Sequence, residues 1–373
     1  FDFALERLGA VLVIACPHAL GLAVPLVASI STTLAAKNGF LVRQRTALEA
    51  ARNVNMVIFD KTGTLTKGEF GVDRIWPTNN EDERDVLKKA ASVDSHSEHF
   101  ISKAIVNKAR ESGIGFYEVS DFSRLSGKGV RGIVNGKEIY AGGQAILEFS
   151  GDSLSKEIEE DVKAEANKGK TIIYVLEDKK IIGAIALSDI IREESRVAID
   201  ELKRMRIRVA MLTGDSEEVA KWVAEELRID DTFARVLPKQ KAEKVKYLQS
   251  KGYKVAMVGD GINDAPALTQ ADLGIAIGAG TDVAIESAGI ILMKNDPRDI
   301  PKIIRLSRRT YNKMIQNLFW ASGYNLAALP LAAGILASRG ILLPPAFAAV
   351  LMSLSTVIVA FNALLLRTAD LDK

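Results

Sequence analysis

The sequence predicts a multi-domain membrane protein: transmembrane α-helices carrying an α/β, Rossmann-like domain into which a smaller α+β domain is inserted. Three observations lead there. Uncharged, apolar stretches long enough to cross a bilayer lie near both ends of the chain. The polar segment between them begins and ends with short apolar runs alternating with helical spacing, the mark of a parallel sheet covered on both faces. Its middle shows strands joined by hairpin-like turns instead. The 373 residues carry 49 basic and 47 acidic side chains, so no basic surplus points to a nucleic-acid partner. A single cysteine excludes a disulfide framework and a metal cage built from cysteines alone.

In chain order, residues 10–36 hold no charge and exceed the roughly 20 residues that a spanning helix needs. The stretch is too long for a cleaved leader and lacks a basic start. Two further stretches, 315–338 and 346–366, are separated by Arg339 and the Pro344-Pro345 pair, as in a turn between antiparallel spans. Lys37, Arg43 and Arg45 follow the first stretch, while Lys302, Arg305, Arg308, Arg309 and Lys313 precede the second. The positive-inside bias places both flanks, and everything between them, in the cytoplasm. The expected division is a span with its cytoplasmic extension over 1–42, an α/β domain in two pieces over 43–69 and 190–300, an inserted α+β domain over 70–189, and two spans with a polar tail over 301–373.

Within the α/β pieces, the apolar runs 54–59, 208–212, 254–258, 273–277 and 289–293 read as strands, and 216–227 and 239–249 as helices. Ligands of such sheets bind beyond the carboxyl ends of the strands, where the polar clusters fall. The inserted segment reads as helices 81–91 and 100–111, strands 117–125, 130–134 and 138–140, a charged helix 155–167, and strands 171–176 and 181–187. Asn135-Gly136 supplies a hairpin turn.

Asp60-Lys61-Thr62-Gly63-Thr64-Leu65-Thr66 directly follows the first strand. A carboxylate held there among backbone N–H groups can attack a phosphoryl group and become an aspartyl phosphate. That attack needs a cation between nucleophile and phosphate, so a second carboxylate has to reach the same point. Asp260, ending another strand, is the candidate, with Mg²⁺ between the two. Lys241 offers fixed positive charge to the transferring oxygens. Thr213 and Gly214, in Thr213-Gly214-Asp215, offer a hydroxyl and a backbone N–H. Asn263 and Asp264 complete the polar loop Gly259-Asp260-Gly261-Ile262-Asn263-Asp264.

Singly, each of these is an ordinary strand-end residue. The three strings together, each after its own strand, resemble the catalytic half of the P-type ATPases, whose phosphorylation domain has the haloacid dehalogenase fold. The resemblance covers essentially the whole chain. It implies that Asp60 is the phosphorylated residue, that Asp260 holds Mg²⁺, and that Pro238 to Lys241 is the family's Pro-x-x-Lys. Soluble phosphatases of this fold usually carry a second aspartate where this chain has Thr62. Threonine cannot do that proton work, although its carbonyl still helps to hold Mg²⁺, and a long-lived phosphoenzyme favours a pump.

Asp94-Ser95-His96-Ser97-Glu98-His99 resembles the nucleotide-binding motif of the heavy-metal P-type ATPases. The resemblance implies that His99 lies against the adenine of ATP, with Asp94 as the acidic residue five positions earlier. It also implies that Gly127 and Gly129, and the pair Gly142-Gly143, let the backbone approach the nucleotide. Phe100 stands where that family has proline, and His96 reads as a solvated loop residue.

Cys16-Pro17-His18 lies inside the first apolar stretch. Proline frees a backbone carbonyl, and a thiolate and an imidazole flank it, a partial site for a soft or borderline cation, copper above all. An ionisable residue inside a membrane is functional by default. Tyr324 and Asn325 in the second stretch, with Met352 and Ser353 in the third, add oxygen and sulfur at mid-span depth. The set resembles the copper-transporting branch of the heavy-metal pumps and implies export of Cu²⁺, or of Cu⁺ and Ag⁺. Imidazole in place of a second thiolate moves the preference towards Cu²⁺. Two alternatives stay open: a pump for another cation such as zinc, cadmium or potassium, and a non-enzymatic membrane scaffold. Intact Asp60, Lys241, Asp260 and Asp264 speak against the scaffold. The resemblance further implies membrane lipid as a partner, and an actuator domain with its Thr-Gly-Glu and preceding spans, none of which occurs in this sequence. The chain is therefore expected to be one portion of a multi-pass pump nearly twice as long, its phosphorylation and nucleotide domains cytoplasmic.

Overall fold

Met56, Val57, Ile58 and Phe59 are fully buried, and the strand they form ends on a carboxylate, Asp60. The computed structural model describes residues 2–16, 18–78, 81–260, 262–277 and 282–371. Its strands are β1 (Phe40–Val42), β2 (Met56–Asp60), β3 (Thr66–Pro77), β4 (Val119–Leu125), β5 (Gly129–Val134), β6 (Lys137–Gly142) and β7 (Thr171–Glu177). They continue with β8 (Lys180–Ile191), β9 (Arg208–Leu212), β10 (Asp231–Phe233), β11 (Val255–Gly259), β12 (Leu273–Ile277) and β13 (Ile290–Leu292).

Seven of them form one sheet in the order β1-β13-β12-β11-β2-β9-β10. The pairs β9–β10, β11–β12 and β12–β13 run parallel, and β1 closes one edge antiparallel to β13. Each expected apolar run is a strand here. The edge strands β1 and β10 are three residues each, too short for any periodicity to register in the sequence.

The other sheet has the order β3-β8-β7-β6-β5-β4, antiparallel at every pair. It begins earlier than the expected boundary at residue 70, because β3 starts at Thr66 and pairs there with Ile191 of β8. Two glycines and four charged residues in Thr66–Pro77 hide this strand from pattern reading. The helices Glu83–Asp94 and Phe100–Glu111 cover one face, packing Val86, Ala90 and Ile105 with Val130, Ile139 and Ile185. The first of these helices is capped by Asp82, whose carboxylate accepts from the Asp85 N–H.

The first two of the three expected spans have different bounds in the structure. Residues 10–36 are not one helix: Asp2–Ala15 ends before Cys16, and a second helix runs His18–Lys37. Pro17, which lies outside the described residues, has no N–H with which to continue the ladder. The second expected span belongs to a single helix, Asp299–Ala332, which joins the basic segment to the apolar one. It stops short of residue 338, and Gly334 turns the chain with φ 89°. The third is Pro345–Leu364 followed by a tight turn, Leu365–Thr368. Two segments, Asp2–Lys37 and Pro345–Thr368, are long and apolar enough to cross a membrane.

Small residues bring these helices together. Ala10 and Ile14 meet Ala328, Ala332 and Ala348, while Ala19 and Ala23 meet Ala321 and Val359. A polar chain that starts at buried Asn317 adds direction: Asn317 Nδ2 donates to the Ala23 carbonyl at 3.1 Å, Asn362 Nδ2 donates to Asn317 Oδ1 at 2.8 Å, and Lys313 donates to Asn362 Oδ1 at 2.8 Å. Nearer the start of the long helix, Ser307 donates to the Leu48 carbonyl.

Candidate functional site

Asp60 ends β2, and the chain leaves through an irregular turn, Lys61–Leu65, in which Gly63 takes φ 73°. Gly259 ends β11, the neighbour of β2 in the sheet, and Asp260 follows it. One carboxylate oxygen each from Asp60, Asp260 and Asp264 lies within 4.8 Å of the others. Asp264 is 1% exposed and accepts a hydrogen bond from Lys241 Nζ at 2.7 Å. Gly259 makes the room: a Cβ there would stand 2.7 Å from Asp264 Cγ. The Lys241 ammonium offsets the Asp264 charge, and the Asp60 and Asp260 carboxylates converge at the same point. Hard oxygens, two of them carboxylate, are the donor set that Mg²⁺ takes when water and phosphate complete its shell. Asn263 is exposed in the short turn Ile262–Asp264, and Gly261 of the same string lies outside the described residues.

Lys61 is buried, and its ammonium lies 2.7 Å from Asp215 and 3.6 Å from Asp189. Burial alone would raise the pKa of Asp215, but Lys61 and then the Thr213 hydroxyl hold it below the usual carboxylate range. Thr213 Oγ1 donates to Asp215 Oδ2 at 2.7 Å and accepts from the Asp215 N–H at 3.1 Å. The hydroxyl expected to face transferring oxygens therefore gives its proton to Asp215. Thr62 is exposed with an extended backbone, and Gly214 is exposed beside the buried Thr213.

Sequence reasoning missed three residues that fix this loop. Asp189 accepts from Thr66 Oγ1 at 2.6 Å and from the Gly68 N–H at 3.1 Å. Arg192 donates to the carbonyls of Thr66 at 3.0 Å and Gly63 at 3.3 Å. Ser195 Oγ donates to the Leu65 carbonyl at 3.0 Å. The one signal in the sequence is that Asp189 and Arg192 sit at the end of an apolar strand, as Asp60 does.

Asp94, His99, Gly127, Gly129 and Gly142 all line one cavity of about 620 Å³ against the six-stranded sheet, with Arg124 and Lys128 at its wall. Asp94 is buried and accepts from Ser102 Oγ at 2.6 Å. Burial pushes its pKa up to about 7, outweighing the opposing Ser102 hydrogen bond. His99 caps the helix Phe100–Glu111, its Nδ1 accepting from the Ile101 N–H at 3.4 Å. Its ring stacks on Phe100 with centroids 4.3 Å apart, so an aromatic neighbour orients the imidazole where a proline would otherwise stiffen the turn. His96 is exposed, with its ring 5.4 Å from that of Phe122.

The glycines divide into two kinds. Gly129 and Gly142 face each other across β5 and β6, and a Cβ on Gly129 would stand 2.7 Å from the Gly142 Cα. A Cβ on Gly142 would run into the Lys128 carbonyl. These two let strands approach each other. Gly127, with φ 70°, and Gly143 have open space where a Cβ would stand, so a ligand can come close to their backbone.

In the apolar helices, Cys16 Sγ and His18 Nδ1 lie 3.4 Å apart. Tyr324 packs beside the Ala10–Ile14 cluster, and Asn325 Oδ1 is buried without a hydrogen-bond partner. Met352 is half-buried. Ser353 is exposed and donates to the Ala349 carbonyl of its own helix at 3.0 Å, so its proton is already committed.

Residues 54–272 match the haloacid dehalogenase-like hydrolase family. The sequence is 56% identical over 367 residues to copper-exporting P-type ATPase B of Archaeoglobus fulgidus, covering 98% of this chain and 52% of that protein. The chain thus spans about half the length of the curated relatives it matches. Among solved structures, a zinc-transporting PIB-type ATPase in its E2.Pi state is 33% identical with a TM-score of 0.84, over 95% of this chain and 56% of that one. The catalytic domain of the CPx-ATPase CopB-B is 30% identical with a TM-score of 0.54, over 74% of this chain and 98% of that one. Such a likeness over nearly the whole chain agrees with the strand-end carboxylates and the glycine-lined cavity: the chain belongs to the haloacid dehalogenase-like hydrolases and, within them, to the P-type ATPases.

Proposed function

We propose that the chain is the catalytic half of a copper-exporting P-type ATPase. In this reading an Asp60 carboxylate oxygen bonds to the γ-phosphorus of ATP, the bond from phosphorus to the bridging oxygen breaks, and its electron pair leaves with ADP. The observation that carries the reading is the meeting of Asp60, Asp260 and Asp264 beside the buried Lys241. Mg²⁺, held by Asp60, Asp260 and the Thr62 carbonyl, would offset the charge between nucleophile and phosphate. Lys61, Asp215, Asp189 and Arg192 keep the turn after Asp60 in one conformation, so the nucleophile is oriented before ATP arrives. Thr62 offers no group to deprotonate water, so the acyl phosphate lasts long enough to drive a conformational change.

ATP would bind in the cavity of the six-stranded domain, its adenine against His99, with Gly127 allowing close backbone approach. Cys16 and His18 would hold copper at the break between two helices, with Tyr324, Asn325 and Met352 as neighbouring donors and Ser353 at most an indirect one. Copper is favoured over zinc by the thiolate–imidazole pair and by the 56% identity to a copper-exporting relative, against 33% to the zinc-transporting structure. The helices would lie among membrane lipid in a multi-pass protein, the two sheets in the cytoplasm, and the rest of the longer chain would supply the actuator domain and further helices.

The test uses the full-length protein, radiolabelled ATP and Mg²⁺, followed by acid quench. Wild type retains hydroxylamine-labile label and Asp60→Asn retains none. Undiminished label in Asp60→Asn would overturn the assignment. Comparing Cu⁺, Cu²⁺, Ag⁺ and Zn²⁺ as activators of ATP hydrolysis then identifies the ion.

A further inference from the structure

We infer that the long helix Asp299–Ala332 and the end of the last helix together form a site for the headgroup of an anionic phospholipid. A cavity of about 150 Å³ opens between them, lined by Arg309, Asn312, Lys313 and Gln316 on one side and by Leu365 and Leu366 on the other. The four polar residues recur at helical spacing and so share a face. Each carries N–H donors, in a guanidinium, an ammonium and two amides, and no carboxylate lines the cavity among the described residues. Lys313 gives one proton to Asn362 Oδ1 at 2.8 Å, which fixes the ammonium and leaves its other two N–H groups directed elsewhere.

The depth fits. Lys313 is the last charged residue before the apolar part of its helix, and Leu365 and Leu366 lie in the final turns of Pro345–Thr368, one of the membrane-crossing segments. Basic pockets at this level, between helices on the cytoplasmic side, meet lipid phosphates. A bare phosphate would make no use of the leucine wall, whereas a phosphodiester brings glycerol and acyl carbons to it. The volume equals about five waters, room for the phosphodiester itself. This inference rests on the membrane placement proposed above and on neither the copper nor the phosphoryl chemistry.

The full-length protein in phosphatidylcholine nanodiscs is titrated with spin-labelled phosphatidylglycerol, and the immobilised fraction is read. Wild type immobilises the anionic lipid in preference to spin-labelled phosphatidylcholine. Arg309→Gln weakens this about fivefold, the weight of one cation near the surface, and Gln316→Leu weakens it in the same direction. Lys37→Gln, a cation at the end of a different helix, leaves it unchanged. Equal losses in Arg309→Gln and Lys37→Gln would reduce the effect to diffuse surface charge and overturn the site. So would the absence of a preference for phosphatidylglycerol, or displacement of the lipid by inorganic phosphate, which would make this a free-anion pocket. Phosphoenzyme labelling of each variant reports separately on folding and on the catalytic reading.

Discussion

Replacing Asp94 with asparagine removes a buried charge while keeping the side chain's shape and its acceptor for Ser102. The wild-type carboxyl is 4% exposed, and burial lifts its pKa from 3.8 to about 7. The folded protein therefore keeps this proton up to about pH 7, whereas the unfolded chain gives it up near pH 4. Between those values the native state binds more protons, so stability falls as pH rises, and the whole cost is present above pH 7. Three pKa units correspond to roughly 4 kcal/mol, or on the order of 10 °C in melting temperature for a domain of this size. The asparagine variant is expected to melt higher than wild type by up to that amount at about pH 8.5, and to match it at about pH 4. Thermal unfolding followed through buried Trp76, with Trp222 and Trp320 replaced by phenylalanine, reads the domain that holds Asp94. Equal melting of the two proteins at the higher pH, or a wild type that gains stability between the two conditions, would refute the reasoning.

Gly129→Ala and Gly142→Ala should each cost about 2–4 kcal/mol, because the added Cβ meets backbone that cannot yield. Gly127→Ala should cost only about 1 kcal/mol, for its positive φ, so urea unfolding separates a pair needed by the strands from one open to a ligand. Lys61→Met leaves Asp215 and Asp189 without their shared cation and should cost about 1–3 kcal/mol near neutral pH while slowing phosphoenzyme formation. Because Lys61 holds the Asp215 pKa low, that stabilisation is present above the ordinary carboxylate pKa of about 4 and is lost as pH falls through the lowered folded value. The gap between wild type and Lys61→Met should therefore close in acid. Cys16→Ala and His18→Ala should each abolish copper-stimulated ATP hydrolysis by the full-length protein without weakening nucleotide binding. Normal copper activation in both would remove the pair from the transport site.

The strands that place the strand-end carboxylates were legible because β2, β9 and β11 are short runs of apolar residues ending on Asp60, Thr213 and Gly259-Asp260. Burial on both faces dictates composition as well as structure there. The long strand β3 was not legible, since its glycines and charges serve a half-exposed sheet face with two register shifts. Only the apolar part of the helix Asp299–Ala332 was read from the sequence, because hydropathy changes along it while the backbone does not. At the site, the string after Asp60 singled out a candidate carboxylate but not what steadies the turn that follows it. Asp189, Arg192 and Ser195 act on Thr66, Gly63 and Leu65 across more than a hundred residues of sequence, and such distances leave no local pattern. Arg7 is a similar case: an arginine at the start of an apolar helix gave no hint that it is buried and donates to the Leu343 carbonyl at 2.8 Å.

The 34 residues of the helix Asp299–Ala332 rise about 50 Å from end to end. Ser307 seats it on the Leu48 carbonyl, and Asn317 seats it on Ala23, in the helix that His18 begins. Between those two bearings the axle has no proline, since Pro330 comes later. A twist applied at the first bearing has nowhere to dissipate before the second, about 15 Å on. Torque taken up at the Leu48 end would turn the histidine's own helix with it.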